Sequence, residues 1–194
     1  MTILSISGAP GSGKTTLMKH LLDAERDIKP LLSITTRAKK ISDPDTGEYY
    51  WASQPEFERM AKNSDFLWQV EVHGNRYGTR KMDIIDALNL KSLRIAILAL
   101  EAVKILREFA ADQRRSAAVQ SIFITHKDEN ELYRRLLERG DSPEEAAIRV
   151  RDGRTWESDA RKSELWFKYL KGEKPIEKVF DETVAFLEQK NWAI

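Results

Sequence analysis

The sequence predicts an α/β fold with a largely parallel central sheet. Strand-like apolar runs alternate with amphipathic helical patterns along most of the chain, which is the pattern of α/β architectures. A length of 194 residues is enough for one domain with a buried core. We expect four core strands and one edge strand, in the order Ile3–Ser7, Leu31–Thr35, Ile95–Leu100, Val119–Thr125 and Leu165–Leu170.

Helix starts are marked by capping residues. Ser53 followed by Glu56, and Ser142 followed by Pro143 and Glu145, have the spacing of capping boxes. Asp128 predicts another helix start, and a last amphipathic helix is expected after Pro175. Between residues 36 and 78 the pattern changes to short aromatic segments, which indicate a small β-rich insert.

Composition excludes several classes of protein. Hydrophobic residues at 41% and charged residues at 32% are typical of a globular chain. A net charge of +1 argues against nucleic-acid or polybasic membrane partners. Without cysteine, disulfides, thiolate catalysis and cysteine metal sites are excluded. The start of the chain runs directly into a strand and no apolar run is long enough to span a bilayer, so we expect a cytoplasmic protein.

The first strand leads into the pattern G-x-x-x-x-G-K-[ST], a phosphate-binding loop. Its glycines allow successive backbone N–H groups to point at an anion, and a helix N-terminus follows. Lys14 is expected to reach the outer phosphates and Thr15 to ligate Mg²⁺. The predicted ATP- or GTP-binding residues are Gly8, Ala9, Pro10, Gly11, Ser12, Gly13, Lys14, Thr15 and Thr16.

A second set of phosphate-type ligands follows. Arginine grips phosphate through a planar fork, lysine as a compact charge and tyrosine as a neutral donor. An equally good interpretation from composition is a solvated basic loop with ordinary aromatic packing. No guanine-reading N-K-x-D segment of a switch GTPase occurs. The residues of this second set are Ser33, Thr35, Thr36, Arg37, Lys40, Tyr50, Tyr77 and Thr79.

Four motifs resemble those of the guanylate kinase family of nucleoside monophosphate kinases. They are S-x-T-T-R at residues 33–37, G-x-x-Y at 47–50, E-V-H-G-N-x-Y-G-T at 71–79 and R-L-x-x-R-G at 135–140. The resemblance implies a P-loop kinase of one domain. Its core would comprise residues 1–35, 80–130 and 163–194, its acceptor-binding insert 36–79 and its helical lid 131–162.

The resemblance also implies roles for individual residues. Arg37, Lys40, Tyr50 and Tyr77 would hold the acceptor monophosphate, Ser33 and Thr79 would touch its base, and Glu71 would belong to the same site. Arg135, Arg139 and either Arg149 or Arg151 would close over the transferred phosphoryl group. The implied reaction moves the γ-phosphoryl of ATP to GMP or dGMP, with Mg²⁺. Lys40 replaces a second arginine that is usual in the family.

Two positions depart from the family pattern. Trp68 occupies the place of a base-reading glutamate, where it can stack on a base or pack in the core. Residues 99–101 read Ala-Leu-Glu instead of D-x-D, so one carboxylate near Mg²⁺ is lost. Glu101 can hold the base or a metal-bound water, or it can complement a helix dipole.

Three functions remain open from the sequence. An active kinase for GMP or dGMP is the first, and a kinase for another nucleotide or a ribose phosphate is the second. The third is a non-catalytic binding module that resembles this family. Such modules typically lose the phosphate loop, so the intact loop favours an enzyme. Base specificity, the preferred donor and the oligomeric state are not predicted.

Overall fold

The computed structural model describes residues 2–24, 27–39, 46–126 and 128–190. The strands are β1 Ile3–Gly8, β2 Lys29–Pro30, β3 Ser33–Thr35, β4 Tyr49–Trp51, β5 Phe66–Val72, β6 Asn75–Arg80, β7 Arg94–Ile97, β8 Val119–Thr125 and β9 Lys168–Lys171. The helices are α1 Lys14–Ala24, α2 Gln54–Lys62, α3 Lys81–Asn89, α4 Leu100–Asp112, α5 Glu129–Glu138, α6 Pro143–Lys162 and α7 Ile176–Gln189.

A five-stranded central sheet has the strand order β2-β7-β1-β8-β9. The β2–β7 and β8–β9 pairs are parallel, and the predicted α/β class is confirmed. Every residue of β1 is buried, which explains its apolar character. The strand predicted at Val119–Thr125 is confirmed as β8, and the predicted edge strand is found as β9 with its bounds shifted to Lys168–Lys171.

Two of the predicted core strands are also wrong in their bounds. The run Leu31–Thr35 does not form one core strand, because the central sheet takes Lys29–Pro30 while β3 joins a second sheet. The backbone N–H of Leu31 still donates to Ile95, whereas that of Ser33 donates to Glu48. The strand predicted to reach Leu100 ends at Ile97, because Leu100 already begins α4.

The chain divides into two compact units. The first comprises Met1–Ser5 and Arg26–Gln120, and it contains a four-stranded sheet of order β4-β3-β6-β5. The β-rich character predicted for residues 36–78 is confirmed in their described part, which contains β4 and β5 and most of β6. The β5–β6 hairpin turns at His73 and Gly74, whose φ angles are 50° and 71°, as a type I′ turn requires.

Helix α2 covers one face of this smaller sheet. Ile34, Ala52 and Phe57 form its core, and the Phe66 ring stacks on Phe57 with ring centroids 4.6 Å apart. Only half of the capping box predicted at its start forms, because Ser53 Oγ accepts from the Glu56 N–H at 3.3 Å without a reciprocal bond. The Glu56 carboxylate is instead engaged by a tyrosine, as described below.

The second unit comprises Ile6–Glu25 and Ser121–Ile194. Asp128 caps α5 because its Oδ1 accepts from the backbone N–H groups of Asn130 and Glu131 at 2.9 and 3.1 Å. A complete capping box between Ser142 and Glu145 opens α6, and α7 follows Pro175 as predicted. Among the described residues, no helix has both the length and the apolar character needed to cross a membrane.

Candidate functional site

The phosphate loop joins β1 to α1 in the second unit. Its glycines have left-handed φ angles of 146° at Gly8, 81° at Gly11 and 97° at Gly13. A Cβ at Gly8 would lie 2.5 Å from the carbonyl oxygen of Ile124, so a side chain is excluded there by contact. Gly13 has open space around it, so glycine is required at this position only by its positive φ angle.

The Lys14 ammonium lies within this loop. Its Nζ donates to the carbonyl oxygens of Gly8 and Ala9, both at 2.8 Å. Helix α1 has no acidic residue in its first turn, so no side-chain carboxylate there competes for its positive N-terminal end. The loop therefore combines a cation, a helix N-terminus and glycine backbone, a combination whose chemistry suits a phosphate group.

Thr15 provides a hydroxyl at the start of the same helix and is half-buried. Within the described part of the chain, no cluster of three or more histidine, cysteine or acidic residues could hold a metal. Mg²⁺ usually keeps several waters and takes one or two protein ligands together with phosphate oxygens. A hydroxyl beside a triphosphate site fits that coordination, so the residues present suit Mg²⁺ bound with the nucleotide.

The remaining loop residues differ in exposure. Ser12 is 2% exposed, and its buried Oγ has no hydrogen-bond partner in the described structure. Ala9 is buried in a cluster that includes Leu132 and Val150. Pro10 is half-exposed and Thr16 is exposed. The loop thus rests on α5 and α6 through Ala9.

The four predicted lid arginines have different surroundings. Arg135 on α5 donates from Nη1 to the carbonyl of Gly11 at 3.2 Å and pairs through Nη2 with Glu131. Arg149 on α6 pairs at 3.1 Å with Asp141. Arg139 caps α5 and is exposed, and Arg151 is 71% exposed beside Asp152. Of these four, the structure brings Arg135 onto the phosphate loop.

A contact that the sequence did not predict joins α6 to this loop. Gly153 is buried in the middle of α6, and a Cβ there would lie 2.9 Å from the Ala9 Cβ.

Arg154, the next residue, forms two hydrogen bonds with the Glu129 carboxylate on α5. The pair raises the pKa of Arg154 and lowers that of Glu129, in each case chiefly through the hydrogen bonding between them.

The second set of candidate ligands lies on the four-stranded sheet of the first unit. Register places Thr35 beside Trp51 and Tyr77, and Ser33 beside Tyr49. Side chains at paired positions lie on the same face of a sheet. Tyr49 and Tyr77 therefore share a face, and their ring centroids are 6.3 Å apart.

Arg37 joins this aromatic pair. Its guanidinium carbon lies 5.3 Å from the centre of the Tyr49 ring, within the range of a cation–π contact. Its backbone N–H donates to Thr35 Oγ1 at 3.1 Å, and the same hydroxyl donates to the Arg76 carbonyl at 2.9 Å. The structure thus brings Arg37, Tyr49 and Tyr77 together.

Tyr50 lies on the opposite face, because it pairs in register with Ile34. It is 45% exposed, and its hydroxyl donates to Glu56 at 2.7 Å. That hydrogen bond raises the pKa of Tyr50. The structure does not bring Tyr50 beside Tyr77, with which the sequence grouped it. It places Tyr49 there instead, a residue that strand alternation could have identified.

The positions expected near the base differ in burial. Trp68 is 4% exposed and pairs in register with Thr79, which is 1% exposed. Burial favours packing in the first unit over stacking on a base. Gln69 accepts from Arg76 at 2.8 Å on the other face, where Glu71 is exposed. Ser33 is half-buried, and Lys40 lies outside the described residues.

The departure at residues 99–101 falls at the start of α4. Ala99 is the N-cap residue and makes no side-chain capping bond. Glu101 is exposed in the first turn, a position where a carboxylate complements the helix dipole. Glu101 therefore has a structural role at the N-terminus of α4 that requires no ligand.

Comparison with known proteins agrees with this geometry. The model of the guanylate kinase family matches residues 1–190. A guanylate kinase of Pseudomonas fluorescens is 32% identical over 157 residues, 81% of this chain and 71% of the relative. Another, of Dechloromonas aromatica, is 38% identical over 145 residues, 73% of this chain and 68% of the relative.

A solved structure is similar over nearly the whole chain. The crystal structure of guanylate kinase from Anaplasma phagocytophilum has a TM-score of 0.67 at 25% identity, covering 97% of this chain and 85% of that one. The predicted resemblance and the enzyme class that it implies, a nucleoside monophosphate kinase, are confirmed. The chain therefore belongs to the guanylate kinase family.

Proposed function

We propose that the protein transfers the γ-phosphoryl group of ATP to GMP or dGMP. The observation that carries this proposal is the complete phosphate loop, with the Lys14 ammonium inside it and Arg135 against the Gly11 carbonyl. Phosphoryl transfer depends on positioning and charge stabilisation rather than on a covalent protein group. The acceptor is itself a phosphate, so no strong general base is required.

The donor would be held in the second unit by the loop residues 8–16. The backbone N–H groups and Lys14 bind the β- and γ-phosphates, and the hydroxyl of Thr15 helps to hold Mg²⁺. Bound Mg²⁺ would supply positive charge to the phosphate oxygens. Arg135 adds a second cation, and Arg139 with Arg149 or Arg151 would neutralise the developing charge when the lid closes.

The acceptor phosphate would be held in the first unit by Arg37, Tyr77 and Lys40. The shared face of Tyr49 and Tyr77 supports Tyr49 as the second tyrosine ligand in place of Tyr50. Ser33 and Thr79 are proposed to contact the base. Trp68, Glu71 and Glu101 are also proposed to lie near this site. Burial of Trp68 supports a packing role for its side chain.

The two alternative functions have less support. A non-catalytic module would not need the complete loop, and the relatives at 32% and 38% identity carry the name guanylate kinase rather than that of another kinase.

The near-balanced charge of 32 basic and 31 acidic residues supports small nucleotides rather than nucleic acid as partners. A cytoplasmic location stays a prediction.

The donor assignment is tested by Lys14→Ala. We expect this variant to lose phosphoryl transfer from ATP to GMP while its circular dichroism and melting temperature stay near those of the wild type. Lys19→Ala is the matched control, because Lys19 is exposed on the same helix. A Lys14→Ala protein with near-normal turnover would show that the donor site is elsewhere.

The acceptor assignment is tested by Arg37→Ala and by two tyrosine variants. Loss of a charge-assisted bond to phosphate costs roughly 1.5–3 kcal/mol, so kcat/KM for GMP should fall on the order of 10- to 100-fold. Affinity for ATP should change little. Tyr49→Phe should raise the KM for GMP, whereas Tyr50→Phe should not. Equal weakening of ATP and GMP by Arg37→Ala would refute separate phosphate sites.

A further inference from the structure

One ion pair on α5 reaches the phosphate loop. Glu131 and Arg135 lie one helical turn apart, and Arg135 Nη2 pairs with Glu131 Oε1. Arg135 Nη1 donates at 3.2 Å to the carbonyl of Gly11. The guanidinium is therefore held from two sides, by a carboxylate of its own helix and by the backbone of the loop.

Glu131 is itself fixed by its surroundings. Its backbone N–H donates to the capping carboxylate of Asp128 at 3.1 Å. Its Oε2 lies 3.4 Å from Nε2 of His126, whose side chain is fully buried. Nδ1 of His126 accepts from the Asp128 N–H at 3.3 Å, and its buried Nε2 has no hydrogen-bond partner among the described residues.

A second pair on the same helix gives a direct contrast. Arg134 and Glu138 have the same i,i+4 spacing at 3.1 Å, but their side chains are 66% and 60% exposed. Those of Arg135 and Glu131 are only 31% and 28% exposed. An exposed pair is screened by solvent and contributes little, whereas a half-buried pair anchored at both ends restricts the rotamers of its arginine.

The sign of the charge makes the position of Glu131 informative. A carboxylate beside a triphosphate site lowers the positive potential that attracts the ligand. The Glu131 carboxylate therefore needs a role at this site other than attracting phosphate. Holding the guanidinium in one orientation does so, because an ordered side chain loses less freedom when the ligand binds.

We infer that Glu131 is a positioning residue of the donor site: its carboxylate fixes the Arg135 guanidinium against the Gly11 carbonyl, so that Arg135 meets the ATP phosphates already oriented. This inference rests on the proposed function, in which the loop and Arg135 bind the triphosphate. Glu131 acts through Arg135 and touches neither nucleotide.

The test compares Glu131→Ala with Glu138→Ala as the matched control. Glu131→Ala should raise the KM for ATP and the Kd for magnesium AMP-PNP by about 2- to 10-fold, while the KM for GMP stays unchanged. Glu138→Ala should leave all three constants unchanged. Glu131→Gln keeps the shape of the side chain and an oxygen acceptor, so it should raise the KM for ATP and the Kd for AMP-PNP by less. It takes the place of the alanine variant in the test if that variant does not fold.

A double-mutant cycle separates positioning from a structural role. In an Arg135→Ala background, adding Glu131→Ala should not raise the Kd for AMP-PNP any further. An additive rise, an unchanged Kd in the Glu131 single variants, or a lower Kd would each overturn the inference. A lower Kd would mean that Glu131 withholds Arg135 from the phosphates.

An error in the proposed function would give a different result from an error in this inference. If the wild type does not phosphorylate GMP with ATP, the enzyme assignment is wrong, yet the AMP-PNP titrations still decide whether Glu131 positions Arg135. If the wild type is active and the Glu131 variants bind AMP-PNP normally, only the inference is wrong.

Discussion

Replacement of Gly153 by alanine tests how closely α6 packs on the phosphate loop. Gly153 lies inside a 20-residue helix, where alanine would ordinarily be the better residue. The added Cβ would approach the Ala9 Cβ to 2.9 Å and the Pro10 Cδ to 3.5 Å. The substitution therefore sets a local gain in helix propensity against a steric cost in the tertiary structure.

The two contributions are of comparable size. Glycine is less favourable than alanine in a helix interior by about 0.8–1.0 kcal/mol. Overpacking of a well-packed site costs about 1–3 kcal/mol. We expect Gly153→Ala to lower the free energy of unfolding by up to about 2 kcal/mol, the difference between these values. In a chain of this size, each kcal/mol corresponds to about 2–4 °C in Tm.

Urea unfolding followed by circular dichroism, with two further variants, separates the contributions. Ala147→Gly, at an exposed position of the same helix, should cost about 1 kcal/mol and measures the propensity difference alone. Ala9→Gly removes the atom that the new Cβ would meet. In that background Gly153→Ala should become stabilising, by up to about 1 kcal/mol.

The decisive result is the difference between the two backgrounds. We expect a coupling of about 1–3 kcal/mol between positions 9 and 153. If Gly153→Ala instead stabilises the protein by about 1 kcal/mol whether residue 9 is alanine or glycine, the close contact does not exist in solution and the reasoning is refuted.

Three further predictions concern the four-stranded sheet. Gly78→Ala would place a Cβ 2.7 Å from the Phe66 ring, so its unfolding free energy should fall by about 1–3 kcal/mol, and an unchanged urea midpoint would contradict the packing. Trp68→Glu puts a carboxylate where only 4% of the residue is exposed. It should lower stability by roughly 3–5 kcal/mol rather than change the preference among GMP, AMP, UMP and CMP, and a stable variant with altered preference would contradict this. The hydrogen bond to Glu56 raises the pKa of Tyr50 because it stabilises the protonated phenol, so Glu56→Gln should bring that pKa down towards its ordinary value in an NMR titration, with Tyr50→Phe assigning the signal.

The amino-acid sequence alone determined the features that depend on near neighbours. Glycine spacing, the lysine and the following threonine define the phosphate loop at residues 8–16. The cap at Ser142 forms as predicted because its side chain reaches only three residues along the chain. The family motifs are likewise local strings, so fold class and family could be predicted without coordinates.

Tertiary structure decided what depends on partners distant in the sequence. Arg135 and Gly11 are 124 positions apart, and no local pattern indicates that this arginine among several rests on the loop. The same holds for Gly153 against Ala9. Residues 33–35 have strand character in the sequence, but hydrogen bonding to β4 and β6, not their composition, assigns them to the smaller sheet. That register also determines which tyrosine faces Tyr77, because one residue of displacement reverses the face of every side chain.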